Sequence, residues 1–216
     1  MTLKEYELRE YIETNIFPLY NNNYIGDRID RISYVLERSK DIIEENNLLI
    51  DNDILYTAIS YHDIRKNSDE KNHEFISAAI MFNDEFLKNY FSIEQRRVIK
   101  EAIEDQRANA ENEPRNIYGK ILSSASRNSS IEQCFKRSYI YGKNKNSHLS
   151  DDEIFENAYK VLLNKFGENG YAKFFFKDSK YEKFLIDIRK MLLDKNRFIK
   201  AQKEYINELK KKGELK

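Results

Sequence analysis

His62-Asp63 is the dipeptide with the clearest chemical meaning. It closes the segment Ile-Leu-Tyr-Thr-Ala-Ile-Ser-Tyr-His-Asp-Ile at 54–64. Helical spacing puts His62 in register with Leu55, Ala58 and Ile59, so the imidazole turns toward a core. A carboxylate beside it, at the end of a buried helix, is costly unless a cation or a hydrogen-bond donor compensates it. Divalent metal ligation is one solution, because neutral imidazole and carboxylate oxygen are both ordinary ligands; a hydrogen-bonded core histidine is the other. Arg65, Lys66, Arg107, Arg115, Lys120 and Arg127 supply cations elsewhere. Arginine can form two parallel hydrogen bonds to an anionic group. The bland reading is surface charge balanced by Glu104, Asp105, Glu111 and Glu113. The aromatic run Tyr171, Phe174, Phe175 and Phe176 reads as core, with base stacking as the sharper alternative.

Helices must position these groups. Thr2 with Glu5, Ser92 with Gln95, Ser150 with Glu153 and Ser179 with Glu182 match the reciprocal N-capping spacing. Apolar stripes of helical period follow: Ile25, Ile29, Ile32, Leu36 and Ile43; then Leu55, Ala58 and Ile59; then Ile99, Ala102 and Ile103; then Ile117, Ile121, Leu122 and Ala125. Only 6 Gly and 2 Pro punctuate the chain, which disfavours many short strands joined by turns. The expectation is an all-α protein of nine or ten helices. The polar stretch 143–149 reads as an exposed connection between a helical core at 1–142 and a C-terminal helical extension at 150–216 packed on that core. The lysine-rich end near 207–213 reads as a solvated helix terminus.

The 216 residues carry 37 Lys+Arg and 37 Asp+Glu, so the formal net charge is zero. That excludes a protein whose main task is coating DNA or an anionic membrane. Cys134 is the only cysteine; no intrachain disulfide or cysteine-rich zinc site can form, and the residue reads as a packing group. No apolar run approaches the length needed to span a bilayer, and the segment Met-Thr-Leu-Lys-Glu-Tyr-Glu-Leu-Arg-Glu lacks the apolar core of a signal peptide. The expected location is the cytoplasm.

Residues 24–35, Tyr-Ile-Gly-Asp-Arg-Ile-Asp-Arg-Ile-Ser-Tyr-Val, resemble the first helix of the HD superfamily of metal-dependent phosphohydrolases. Residues 54–64 resemble its signature helix. Asn72-His73-Glu74, Glu104-Asp105-Gln106-Arg107 and Ser124-Ala125-Ser126-Arg127 then resemble its later site segments, in the same order. The resemblance covers about residues 24–130, and the tail looks like the extra helices of small bacterial members. It implies an HD-domain helical bundle with additional C-terminal helices, and, because cations near the metal of such enzymes commonly hold substrate phosphate, Arg65, Lys66, Arg107 and Arg127 as candidate phosphate contacts. It also implies a metal-binding pattern of a histidine, the His-Asp pair and a final aspartate, with two further histidines in members that hold a second metal.

Arg31 stands at the first histidine position. His62 and Asp63 match the pair, and His73 matches the first added histidine. Gln106 stands for the second, and Ser126 for the final aspartate. The substitutions preserve charge. Two neutral imidazoles, two carboxylates and a divalent cation sum to zero, as do Arg31, neutral His62, Asp63 and Ser126 without metal. Arg31 is therefore expected to replace the metal as the counter-charge of Asp63. The resemblance thus implies a non-catalytic or impaired relative, binding a nucleotide or another phosphorylated small molecule without a cofactor. An active phosphohydrolase would hold Mn, Fe, Mg or Zn on His62, Asp63 and His73, with Asp63 catalytic. A helical protein-interaction module is the third reading.

Overall fold

Three of the four anticipated capping boxes open helices. Thr2 Oγ1 accepts from the Glu5 amide while the Glu5 carboxylate accepts from the Thr2 amide, which starts α1 (Leu3–Asn15). Ser92 and Gln95 do the same for α6 (Ile93–Glu104), as do Ser150 and Glu153 for α9 (Asp151–Phe166). The fourth box does not form. Asp178, one residue earlier than Ser179, accepts from the Tyr181 amide at 3.0 Å and caps α10 (Ser179–Leu192). A carboxylate is the stronger acceptor at the positive end of a helix, so Asp178 takes the cap and Ser179 becomes the first helical residue.

The computed structural model describes residues 2–23, 29–66, 71–107, 112–171 and 175–215. The described residues form eleven α-helices, one more than the upper expectation, with a 3-10 turn at Phe17–Asn22 and no strand. Among them no helix is long and apolar enough to cross a membrane. The chain divides into two compact units.

The first unit is Met1–Arg127 with Phe174–Lys177. It contains α1 and α6 together with α2 (Ile29–Asn46), α3 (Asn52–Tyr61), α4 (His73–Asn83), α5 (Glu85–Tyr90) and α7 (Ile117–Ala125). Its axis is α3, in which every residue from Ile54 to Tyr61 is buried and around which α1, α2, α4, α6 and α7 pack. The anticipated stripes supply the core: Ile32, Leu55, Ala58, Ile59, Ile99, Ala102, Ile103, Ile121, Leu122 and Ala125. Each fully buried Leu or Ile side chain contributes about 1.5–3 kcal/mol to that burial. Ile29 and Ile117 depart from their stripes at 40% and 37% exposed, and Ile25 lies outside the described residues. Gly119 permits close approach of α7 to α6, since a Cβ there would stand 3.0 Å from Pro114 Cβ and 3.4 Å from Ala102 Cα. The Asn46 side chain clasps Lys177 through both its amide and its carbonyl, and Phe176 packs on the first core. The anticipated aromatic run is therefore split, with Phe176 in a core, Tyr171 40% exposed and Phe174 outside the described residues.

The second unit is Asn128–Lys173 with Asp178–Lys216. It consists of α8 (Ile131–Lys145), α9, α10 and α11 (Lys195–Lys211) around Phe135, Leu162, Phe166, Phe184, Ile188 and Phe198. Cys134 is buried in the same cluster, as its packing reading requires. The units separate after Arg127 rather than at the polar stretch 143–149. Lys143 and Lys145 instead complete the last turn of α8, where cations favour the helix dipole. Lys143 Nζ also reaches Asp151 Oδ1 at 2.5 Å, which ties the end of α8 to the start of α9.

Candidate functional site

Helix α3 begins at Asp51, whose carboxylate accepts from the amides of Asp53 and Ile54, and it delivers His62 and Asp63 at its C-terminal end. The last carbonyls of a helix lack intrahelical partners, and this sequence satisfies one of them with a side chain. His62 Nδ1 donates to the Ile59 carbonyl at 2.6 Å. The backbone of Asp63 is fixed from the 3-10 turn and the residue after it. Tyr20 Oη accepts from the Asp63 amide at 3.3 Å and donates to the Ser60 carbonyl at 3.0 Å, while Asn23 Nδ2 donates to the Asp63 carbonyl at 2.9 Å. Tyr20 and Asn23 carry no local signal of this role, because they lie some forty residues upstream in the chain.

The Asp63 side chain is 5% exposed and engaged at both oxygens. Oδ2 lies 2.8 Å from Lys66 Nζ and 3.3 Å from His62 Nε2, and Oδ1 lies 3.2 Å from His73 Nε2. Burial by itself would raise the carboxyl pKa. The positive charges of His62 and Lys66, with hydrogen bonds from His62 and His73, outweigh it and hold Asp63 well below the usual carboxylate range.

The polar contacts continue outward. His73, the first residue of α4, places Nδ1 3.3 Å from Glu74 Oε2. Glu74, 3% exposed, receives Arg107 through Nε at 2.5 Å and Nη2 at 2.7 Å. The result is a continuous polar row running Lys66, Asp63, His73, Glu74, Arg107. Gln106 Nε2 donates to the His62 carbonyl at 2.7 Å, so Gln106 buttresses the end of α3 through its backbone.

Arg31 and Ser126 also meet, but Arg31 is not the cation on Asp63. Its Nη2 donates to the Ser126 carbonyl, and its guanidinium lies 5.1 Å from the Tyr34 ring centroid. Ser126 caps the C-terminus of α7, where an unsatisfied carbonyl and the negative end of the helix dipole attract a guanidinium. Tyr34 Oη donates to the neighbouring Arg127 carbonyl at 2.8 Å. The ammonium of Lys66, three residues after Asp63 and on the same turn, provides the counter-charge expected of Arg31. The six anticipated ligand positions accordingly gather as Arg31 with Ser126, His62 with Gln106, and Asp63 with His62 and His73, on helices that pack pairwise: α2 on α7, and α3 on α4, α6 and α7.

The candidate phosphate contacts divide. Lys66 and Arg107 belong to the charged row, with side chains 24% and 34% exposed. Arg65 is exposed on the turn that follows Asp63. Arg127 is buried at 4%, its guanidinium 5.5 Å from the Phe175 centroid. Arg115 and Lys120 follow the charge-balance reading: Arg115 forks onto Asp105 and reaches Glu104, and Lys120 pairs with Glu113. Glu111 lies outside the described residues.

A divalent ion fits this donor set poorly. Among the described residues no group of three or more His, Cys, Asp and Glu side chains is arranged to hold one. An ammonium already stands on Asp63 at 2.8 Å. No family model, curated protein or solved structure matches this chain.

Proposed function

We propose that this chain is an HD-like helical protein whose metal centre has been replaced by internal ion pairs, and that it binds a nucleotide or another phosphorylated small molecule without hydrolysing it. The observation that carries the reading is Lys66 Nζ at 2.8 Å from the buried Asp63 carboxylate, where an external cation would otherwise be required. Metal activation of water needs a firmly held ion with a position left open for substrate. Here both Asp63 oxygens have partners supplied by the chain itself. The order of the family-like segments supports the HD relationship, as does the meeting of three helix ends, those of α3, α4 and α6, around His62 and Asp63. Lys66 and Arg107 would receive the phosphate, since they join the charged row to solvent.

The test is a paired restoration read by manganese titration calorimetry. Wild type and either single variant, Arg31→His or Ser126→Asp, should show no manganese binding in the micromolar range. Arg31→His combined with Ser126→Asp and Lys66→Met should gain it. A parallel titration with ADP should show binding to the wild type that weakens at least tenfold in the double variant Lys66→Met/Arg107→Gln, a loss of about 1.4 kcal/mol or more for two charge-assisted contacts. Stoichiometric manganese binding by the wild type would favour the active phosphohydrolase. Loss of both responses would favour a helical interaction module.

A further inference from the structure

Away from the Asp63 row, the first unit carries a cleft of about 680 Å³ lined by α1, α2 and α3. Its floor is apolar, formed by Leu55, Tyr56 and Ile59 of α3 with Leu36 and Ile43 of α2. The stretch Leu36–Glu44 runs along one side and Asn52–Ile59 along the other, about two helical turns or roughly 12 Å at 1.5 Å per residue. The volume falls in the range of small-molecule pockets, about 300–1,000 Å³. It shares no lining residue with the Asp63 row.

A buried hydroxyl in the cleft lacks a hydrogen-bond partner, and a guanidinium that hydrogen-bonds the Tyr56 side chain lacks a counter-charge among the described residues. Ser39 is 2% exposed and lines the cleft, yet its Oγ makes no hydrogen bond; buried hydroxyls are normally satisfied. Arg9 stacks its guanidinium 4.3 Å from the Tyr56 centroid, and among the described residues no carboxylate forms an ion pair with it. The acids on the rim are already engaged. Glu5 accepts from the Thr2 amide, Asp53 accepts from Tyr90 Oη at 2.7 Å, and Glu44 faces Lys40 at 3.8 Å.

We infer that this cleft binds a monoanionic amphiphile, a medium-length apolar chain ending in a carboxylate. The chain covers the Leu36, Ile43, Leu55 and Ile59 floor, the carboxylate pairs with Arg9, and the Ser39 hydroxyl hydrogen-bonds to it. Arginine presents a planar fork that matches a carboxylate, and its stacking on Tyr56 holds that fork in place before the ligand arrives. Glu5, Asp53 and Glu44 on the rim oppose a second negative charge, which selects a carboxylate over a phosphate monoester. The cleft's length suits a chain of about the span of decanoate.

Decanoate, decyl phosphate and 1-decanol would be titrated into the full chain, with amide chemical shifts followed by NMR. Decanoate is expected to bind more than tenfold tighter than decanol or decyl phosphate, shifting amides of α1, α2 and α3 around Arg9, Ser39 and Tyr56. Arg9→Gln should weaken decanoate at least tenfold and leave decanol within twofold. Ser39→Ala should weaken decanoate about threefold. Unchanged amide dispersion in both variants separates lost recognition from lost folding. The inference is overturned if decanoate fails to bind at millimolar concentration, if Arg9→Gln weakens decanoate and decanol equally, or if the shifts centre on His62 and Asp63.

Discussion

Replacing Lys66 by Met removes the ammonium 2.8 Å from Asp63 Oδ2 and keeps an unbranched aliphatic side chain in its place. Breaking a fully buried ion pair costs about 3–5 kcal/mol, and a hydrogen bond to a charged group contributes about 1.5–3 kcal/mol. The lower range applies here. Lys66 is 24% exposed, so water screens part of the attraction, and His62 and His73 still face the carboxylate. The expected loss is about 1.5–2.5 kcal/mol of first-unit stability. Native-state hydrogen exchange of the α3 amides reads that unit separately from the second. A double-mutant cycle with Asp63→Asn isolates the pair, because partners that interact directly depart from additivity. The expected coupling is about 1–2 kcal/mol, whereas independent sites add to within about 0.3–0.5 kcal/mol. Coupling below that limit would refute the claim that Lys66 neutralises Asp63, and the self-balanced site with it.

The remaining predictions concern both units. Arg31→Ala should cost about 1.5–3 kcal/mol in urea unfolding, the value of a charged donor lost from a helix-end carbonyl, rather than the roughly 3–5 kcal/mol of a sole buried counter-charge. Asp151 provides a pH test in the second unit. Burial opposes the shift, but Lys143, Lys210 and Tyr139 hold its pKa at about 2, below the ordinary 3.8. A depressed carboxylate contributes stability that is present above its unfolded pKa and lost as pH falls through the folded one. Wild-type stability should therefore drop between about pH 4 and pH 2, and Asp151→Asn should flatten that part of the profile in circular-dichroism melts. Burial pushes the Cys134 thiol up to about 11, opposed by the Asn128 hydrogen bond, so a thiol reagent at pH 8 should react at the rate of unfolding rather than of a free thiol.

Local grammar made much of the fold legible. Three capping boxes and four apolar stripes mark helix starts and buried faces, because both depend on residues three or four positions apart. The same locality explains the misses. Asp178 outcompetes Ser179 for one cap, and Lys143–Lys145 read as a polar connection although cations favour the last turn of α8. At the site, the burial of His62 and Asp63 follows from helical register, whereas the partners follow from three-dimensional packing. Tyr20 and Asn23 reach Asp63 across some forty residues, and Arg31 meets Ser126 across 95. The Lys66–Asp63 pair was within local reach, three positions apart, but charge alone does not distinguish a cation facing a buried carboxylate from one facing a ligand.

Manganese-dependent hydrolysis of a general phosphomonoester and of nucleoside phosphates by the purified wild-type chain tests the central claim most directly. Rates indistinguishable from the buffer background, and unchanged in Asp63→Ala, are expected. Turnover well above background with manganese, abolished by Asp63→Ala while the fold is retained, would contradict it and make the Asp63 row a working metal centre.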